Sequence, residues 1–192
     1  MFNDLMHSSY IFSVTKPNVA DNIACAIDNV VTINDDFVVV CVGSDLVLGD
    51  SLGPLLGTFL KDRGLLLPIY GCLGQPVTAK EIVFLGKFIN KIHPNCKVLA
   101  IDAGVGEPID VGSVKVLGQG LKPGLGVNKV LPTIGDVSIV GVVASKSLRN
   151  ERLFNLTRLS LVYKMATVIA DGIIKSCLGK GGKNPQINYQ VV

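Results

Sequence analysis

The sequence predicts an α/β protein, a three-layer sandwich with a mostly parallel central sheet. Apolar segments rich in β-branched residues alternate with segments in which apolar residues recur every three or four positions. One predicted strand, residues 37–42, is apolar throughout, as strands covered on both faces are. The chain has 192 residues, 48% of them hydrophobic, which is enough for one domain with a large core.

The first half of the chain supplies a helix, a strand and a second helix. In residues 17–31 the apolar side chains fall on one helical face, and the strand at 37–42 follows. The next helix is predicted to carry Pro54 in its first turn, where proline costs no backbone hydrogen bond, and to stop at Gly64.

The alternation continues to the end of the predicted domain. Strands are predicted at residues 65–71, 96–104, 111–118 and 136–143, and helices at 79–93 and 150–177. A Gly- and Pro-rich stretch, 118–132, is predicted to be a surface loop shaped for a partner. We expect a single domain over residues 1–177, with 1–16 loosely ordered, and a flexible tail over 178–192.

Composition argues against several classes of function. The net charge of +3 is spread over a chain with only 17% charged residues and no dense Lys/Arg block, so nucleic acid is not expected as a partner. No apolar run approaches the roughly 20 residues that span a bilayer, and the N-terminus lacks the features of a signal peptide. The five widely spaced cysteines are typical of reduced core residues in a cytoplasmic protein.

Two aspartates are the strongest candidates for catalysis. Asp50 follows the strand 37–42, and Asp102 ends the strand in "VLAID". Ligands of parallel sheets gather beyond the carboxyl ends of the strands, and adjacent strands would bring these two carboxylates together. Such a pair lets one carboxylate act as base while the other holds a proton and acts as acid. This is the division of labour needed to activate water for amide hydrolysis.

Each of these aspartates also has a purely structural interpretation. Asp50 is compatible with an Asx turn or a helix cap before "SLGP", and Asp102 with a carboxylate that bonds the amides of the turn "AGVG". Asp45 is predicted to be an exposed turn residue. Asp136 opens a strand and is a candidate for substrate binding in the same crevice, although a strand-end turn explains it equally well.

The glycine-rich loop provides further candidates for substrate binding. Lys122 and Lys129 are suited to an anionic group or a peptide backbone, and Gly124 and Gly126 lie between them. The two histidines, His7 and His93, supply no evident Cys-His or Ser-His pair. The glycine spacing fits neither a phosphate loop nor a dinucleotide site, so no cofactor is predicted.

Five blocks resemble, in order, those of the sporulation protein YyaC family, a domain of unknown function. They read "GSDLVLGDSLGPLLGTFL", "YGCLGQPVTAKE", "HPNCKVLAIDAGVG", "GLKPGLGVNKVLPTIGDVSIVGVV" and "NLTRLSLVYKMA". The agreement covers nearly everything from Phe37 to Cys177. This family in turn resembles the spore germination protease and, more distantly, the hydrogenase maturation endopeptidases, which implies a phosphorylase/hydrolase-like fold.

The resemblance also implies roles for the two aspartates. In the germination protease the proposed catalytic pair stands before an "LGP" turn and in an "IDA" context, which Asp50 and Asp102 match. The maturation endopeptidases use the equivalent carboxylates with a histidine around nickel. No histidine follows Asp102 here, so we expect no bound nickel or zinc.

Three hypotheses follow for function. The first is a sporulation-associated peptidase of the spore or forespore cytoplasm, a possible homo-oligomer, with Asp50 and Asp102 activating water against a peptide or protein substrate. The second is a non-enzymatic sporulation factor that binds a peptide or protein in the same crevice. The third is a nucleoside- or nucleotide-handling enzyme of this fold, for which the chain has no evident base-stacking or phosphate signature.

Overall fold

The computed structural model describes residues 8–31, 36–123, 132–146 and 156–179. Within these ranges the strands are β1 (Ser9–Ser13), β2 (Phe37–Cys41), β3 (Ile69–Tyr70), β4 (Lys97–Gly106), β5 (Ser113–Leu117) and β6 (Val137–Ser145). The α-helices are α1 (Val19–Val30), α2 (Leu52–Asp62), α3 (Ile82–Ile92) and α4 (Leu159–Gly179). Two 3₁₀ turns, Leu48–Ser51 and Pro108–Asp110, follow β2 and β4.

The described strands form one six-stranded sheet in the order β1-β5-β6-β4-β2-β3. The pairs β6-β4, β4-β2 and β2-β3 are parallel, whereas β5 is antiparallel to both β1 and β6. The predicted mostly parallel α/β sheet is confirmed.

Helices cover the sheet on both faces. Apolar side chains of α1, α2 and α4 join one face of the sheet in the larger core, including Ile23, Leu56 and Ile169. Side chains of α3 pack on the other face in a smaller core, with Ile82 and Ile89 against β2 and β4. The two cores explain why β2 is buried at every position and reads as a continuous apolar run.

Three strands differ from the sequence prediction. Residues 1–16 were expected to be loosely ordered, but Ser9–Ser13 forms the edge strand β1, since Tyr10 and Phe12 pack on the larger core while Ile11 faces away. The predicted strand at 65–71 is reduced to the two residues of β3. β2 lies one place from that edge strand rather than at the centre of the sheet.

At the C-terminal end, α4 continues two residues past Cys177, to Gly179. Most of the tail predicted over 178–192 lies outside the described residues. None of the helices in the described ranges combines the length and the apolar character that crossing a bilayer requires.

Candidate active site

The strand order brings the two candidate aspartates to the same edge of the sheet. β2 and β4 are adjacent and parallel, and Cys41 pairs with Ile101. Just beyond this pair, the amide of Val42 donates to the carbonyl of Ile101 at 2.7 Å. Asp102 is therefore level with the carboxyl end of β2, and Asp50 lies in the loop that leaves β2 there. Both aspartates therefore lie at this edge, where the charge of Asp50 acts on Asp102.

Backbone hydrogen bonds stabilise the turn of the Asp50 loop. The amide of Ser44 donates to the main-chain oxygen of Asp50 at 3.1 Å, and the amide of Asp50 donates to Val47 at 2.9 Å. The Ser51 hydroxyl donates to the carbonyl of Leu48 at 2.7 Å. The N-cap position of α2 is Ser51, and it receives no side-chain cap bond. The helix-cap interpretation of Asp50 therefore has no support in the geometry.

Close backbone packing fixes the position of this loop. Gly43 has φ +143°, and a Cβ there would overlap the main-chain oxygen of Asp50. A Cβ on Gly53 would overlap the backbone of Val42. Only glycine permits both approaches, so the first turn of α2 lies directly against the end of β2. The sequence "VGSDLVLGDSLGP" shows these glycines, but their contacts depend on strands and helices that are distant in sequence.

Burial and mutual repulsion give the two carboxyl groups unequal proton affinities. The pKa of Asp102 is raised well above its usual range, first by desolvation and second by the charge of Asp50. One hydrogen bond opposes this rise, from the amide of Ala103 at 2.8 Å. Burial also raises the pKa of Asp50, and a backbone hydrogen bond from Ser44 opposes it. Both pKa values are raised, and because desolvation and the charge of Asp50 act together on Asp102, we expect Asp102 to hold its proton to a higher pH than Asp50.

This pattern predicts how stability depends on pH. A carboxyl group whose pKa is higher in the folded state stabilises the fold when protonated, so stability falls as pH rises from about 4, its unfolded pKa, through the folded pKa. Asp102→Asn removes that loss, because Asn stays neutral and can still accept the Ala103 amide. We expect the variant to melt at a higher temperature than the wild type at pH 7, and the difference to vanish near pH 4. Calorimetry across this range measures it, and equal destabilisation at every pH would contradict the account.

Asp136 lies at the opposite edge of the sheet. Its carboxylate accepts the amide of Val98 at 2.9 Å and lies 3.3 Å from the ammonium group of Lys97. Asp102 pairs with Val140, four residues further along β6, which separates Asp136 from that level by roughly 13 Å at ~3.3 Å per residue. The structure therefore does not bring Asp136 to the crevice. The strand-end interpretation fits its bonds, because a residue that opens a parallel strand lies at the amino edge.

The loop candidates are placed only in part. Lys122 is exposed and follows Leu121, which bridges to Ile134 through hydrogen bonds of 2.9 and 3.0 Å near the amino end of β6. This position is also away from the carboxyl edge. Gly124, Gly126 and Lys129 lie outside the described residues.

Asp45 lies exposed in the loop after β2. The side chain that stabilises its turn is that of Ser44, whose hydroxyl oxygen accepts the amide of Leu46 at 3.3 Å. Asp45 is therefore close to Asp50 in sequence but, unlike the candidate pair, is exposed. This makes it a useful control position.

Lys115 is a candidate site residue that was not predicted from the sequence. It lies at the middle of β5 and pairs with Val140, which pairs in turn with Asp102, so all three side chains point to the same face of the sheet. The available signal was a lysine between two valines in "SVKVL", a polar side chain at the alternate positions of a strand.

No three metal-binding side chains of the His, Cys, Asp or Glu types come together within the described ranges. The arrangement at the carboxyl edge is a pair of carboxyl groups whose pKa values are both raised. Its chemistry is proton transfer to and from a bound molecule.

Comparison with known proteins gives two similarities. The model of a family described as "Protein of unknown function (DUF1256)" matches residues 11–172. The chain is also 43% identical over 137 residues to "Uncharacterized protein YyaC" of Bacillus subtilis (strain 168), an alignment that covers 71% of this chain and 67% of the relative.

Proposed function

We propose that this chain, which belongs to the DUF1256 family of proteins of unknown function, is a peptidase in which Asp50 and Asp102 activate water against a peptide bond. The similarity to the Bacillus subtilis relative confirms the family resemblance identified from the sequence motifs. The observation that supports the activity is the unequal proton affinity of the two carboxyl groups at the carboxyl edge of the sheet.

The unequal affinities assign a role to each carboxylate. Asp50, which ionises first, takes a proton from water as the oxygen of that water attacks the peptide carbonyl carbon. Asp102, which holds its proton, donates it to the amide nitrogen as the C–N bond breaks. The products are a free carboxyl group and an amine. The proton on Asp50 then passes to Asp102, which restores the starting state of the pair.

This mechanism predicts a bell-shaped dependence of hydrolysis on pH. The rate is expected to rise as Asp50 loses its proton and to fall as Asp102 loses its own, so the optimum lies above pH 4, between the two raised pKa values. The rate of peptide release from a protein extract of bacterial spores, measured from pH 4 to pH 10, provides the profile. A rate that is independent of pH over this range would contradict the assigned roles.

The proposed setting is the cytoplasm of a spore or forespore. It rests on the resemblance of the motifs to a sporulation protein family and to the spore germination protease. The spore protein extract is therefore the first substrate to test, with release of new N-termini as the readout. An extract left intact by the pure protein would count against the peptidase proposal.

A second candidate function is peptide or protein binding without cleavage. Two large apolar side chains at the same edge, Leu46 after β2 and Ile109 after β4, are each 91% exposed. They provide apolar contact area that needs no catalysis. Under this alternative, capture of a spore protein would be unchanged by Asp50→Asn and weakened by replacing Leu46 and Ile109 with Ser. Under the peptidase proposal, Asp50→Asn stops cleavage.

A further inference from the structure

The side chain of Lys115 faces the same side of the sheet as Asp102. Its neighbours Val114 and Val116 are fully buried in the larger core with α1 and α4, so Lys115 points to the other face. Across the sheet at this level, the partners are Ile11, Lys115, Val140 and Asp102, in that order. Lys115 and Asp102 are thus two strands apart, about 9–10 Å between backbones.

The outer part of this row is accessible to solvent, and its inner part is half-buried. Ile11, at the far end, is 57% exposed, and the Lys115 side chain is 28% exposed. The apolar side chains that α3 covers on this face belong instead to β2 and to the first half of β4, including Val40 and Ala100. The row from Ile11 to Asp102 therefore forms a surface that leads from the edge strand to the catalytic pair.

Two glycines follow Asp102 on the same face of β4. The next two residues of β4 on the same face, Gly104 and Gly106, carry no side chains. A Cβ on Gly104 would lie 2.7 Å from Val140 and one on Gly106 would lie 2.8 Å from Val142, so the two valines fill that space. Gly106 and Val142 are buried, so the accessible part of this face is the row from Ile11 to Asp102.

The ammonium group of Lys115 is held at the carboxyl end of this surface. It lies 3.3 Å from the carboxylate of Asp110, in the 3₁₀ turn that follows β4. The Asp110 carboxylate in turn lies 3.3 Å from where a Cβ on Gly106 would stand. A lysine ammonium group has three donors, and one long contact to Asp110 leaves donors for a second anion. Within the ranges that the structure describes, Asp110 is its one ion-pair partner, so the ammonium group is suited to bind a ligand as well.

We propose that Lys115 binds an acidic side chain of an extended peptide substrate, about two or three residues from the scissile bond. The position follows from the strand spacing, because ~9–10 Å corresponds to about three residues of extended chain. This inference rests on the proposed peptidase function and adds a substrate class to it, peptides with an Asp or Glu near the cleaved bond.

A random decapeptide library tests the inference in two ways. The peptides cut by the protein are identified by mass spectrometry, and the peptides retained by the immobilised protein are sequenced in parallel. In the wild type we expect about tenfold enrichment of Asp and Glu near the cut site and among retained peptides, the size expected of a charge-assisted hydrogen bond.

Three variants separate binding from a structural role of Lys115. Lys115→Met is expected to abolish the acidic preference. Asp110→Asn is expected to increase it, because the ammonium group loses its competing partner; a structural ion pair would instead make the two variants alike. Lys97→Met is the matched control, since Lys97 also lies in a strand 3.3 Å from an aspartate, but at the amino edge. It is expected to leave the preference unchanged.

The outcomes distinguish this inference from the peptidase proposal. Cleavage without an acidic preference, or a preference that survives Lys115→Met, would overturn the role of Lys115 and keep the peptidase. Retention of acidic peptides that depends on Lys115, with no cleavage, would support the binding role and overturn the peptidase. A library that is neither cut nor retained would overturn both.

Discussion

Replacing Asp50 or Asp102 with Asn is expected to lower the rate of peptide hydrolysis by about 10² to 10⁴, the usual contribution of general acid–base catalysis. Asn at position 50 removes the base that accepts the proton of water, and Asn at position 102 removes the acid that protonates the leaving nitrogen. Both substitutions preserve size and most hydrogen bonding. The double variant is expected to lose little more than either single one, because the two groups act as a unit.

Asp45→Asn is the control for these variants. Asp45 lies in the same loop as Asp50 but is exposed, so its substitution is expected to leave the rate unchanged. Activity is compared per folded molecule, with circular dichroism confirming the fold. Full activity in Asp50→Asn or Asp102→Asn, or an equal loss in Asp45→Asn, would remove the pair from the mechanism.

Gly53→Ala is expected to lower the free energy of unfolding by about 3 kcal/mol or more. The three atoms nearest to the new Cβ are the oxygen, carbon and nitrogen of Val42, all of them backbone, so neither partner yields without moving α2 or β2. For a domain of this size that loss corresponds to a fall of about 10 °C in melting temperature. Because the start of α2 follows Asp50 directly, the same displacement is expected to disturb the catalytic pair.

Gly86→Ala is the matched control. Gly86 lies inside α3, and a Cβ there would meet nothing within 4 Å. Alanine is expected to raise stability by about 0.5–1 kcal/mol, because glycine is a poor helix former. The two substitutions are chemically identical. Their effects on the free energy of unfolding, measured in urea, are expected to have opposite signs. Similar effects of both would show that the contact between α2 and β2 does not limit this fold.

Much of the fold could be predicted from the sequence, because each predicted helix and strand carries its own periodicity. The continuous apolar run at residues 37–42 predicted a strand buried on both faces, and β2 is buried at every position. The edge strand β1 was missed because Ser9–Ser13 is short and pairs with β5, which is distant in sequence. The antiparallel direction of β5 was not predicted either, since strand order depends on contacts between distant segments.

The residues of the candidate site differ in the same way: some could be predicted from local sequence, and one depends on strand pairing. Asp50 and Asp102 were found because ligand-binding residues follow the carboxyl ends of parallel strands. Asp136 precedes a parallel strand, and that position alone places it at the other edge. Lys115 could not be related to Asp102 without the pairing of β5 with β6, which no local pattern specifies.

The central claim is that Asp50 and Asp102 divide the ionised and protonated roles between them at the carboxyl edge of the sheet. A ¹³C NMR titration of the aspartate side-chain carboxyl carbons, assigned with Asp50→Asn and Asp102→Asn, measures this directly. We expect two separate transitions. Asp50 should ionise first, with a pKa above its usual range, and Asp102 should stay protonated to a clearly higher pH. In Asp50→Asn, the transition of Asp102 should move to lower pH, because the repelling charge is gone. Two transitions near pH 4, unaffected by either substitution, would contradict the account.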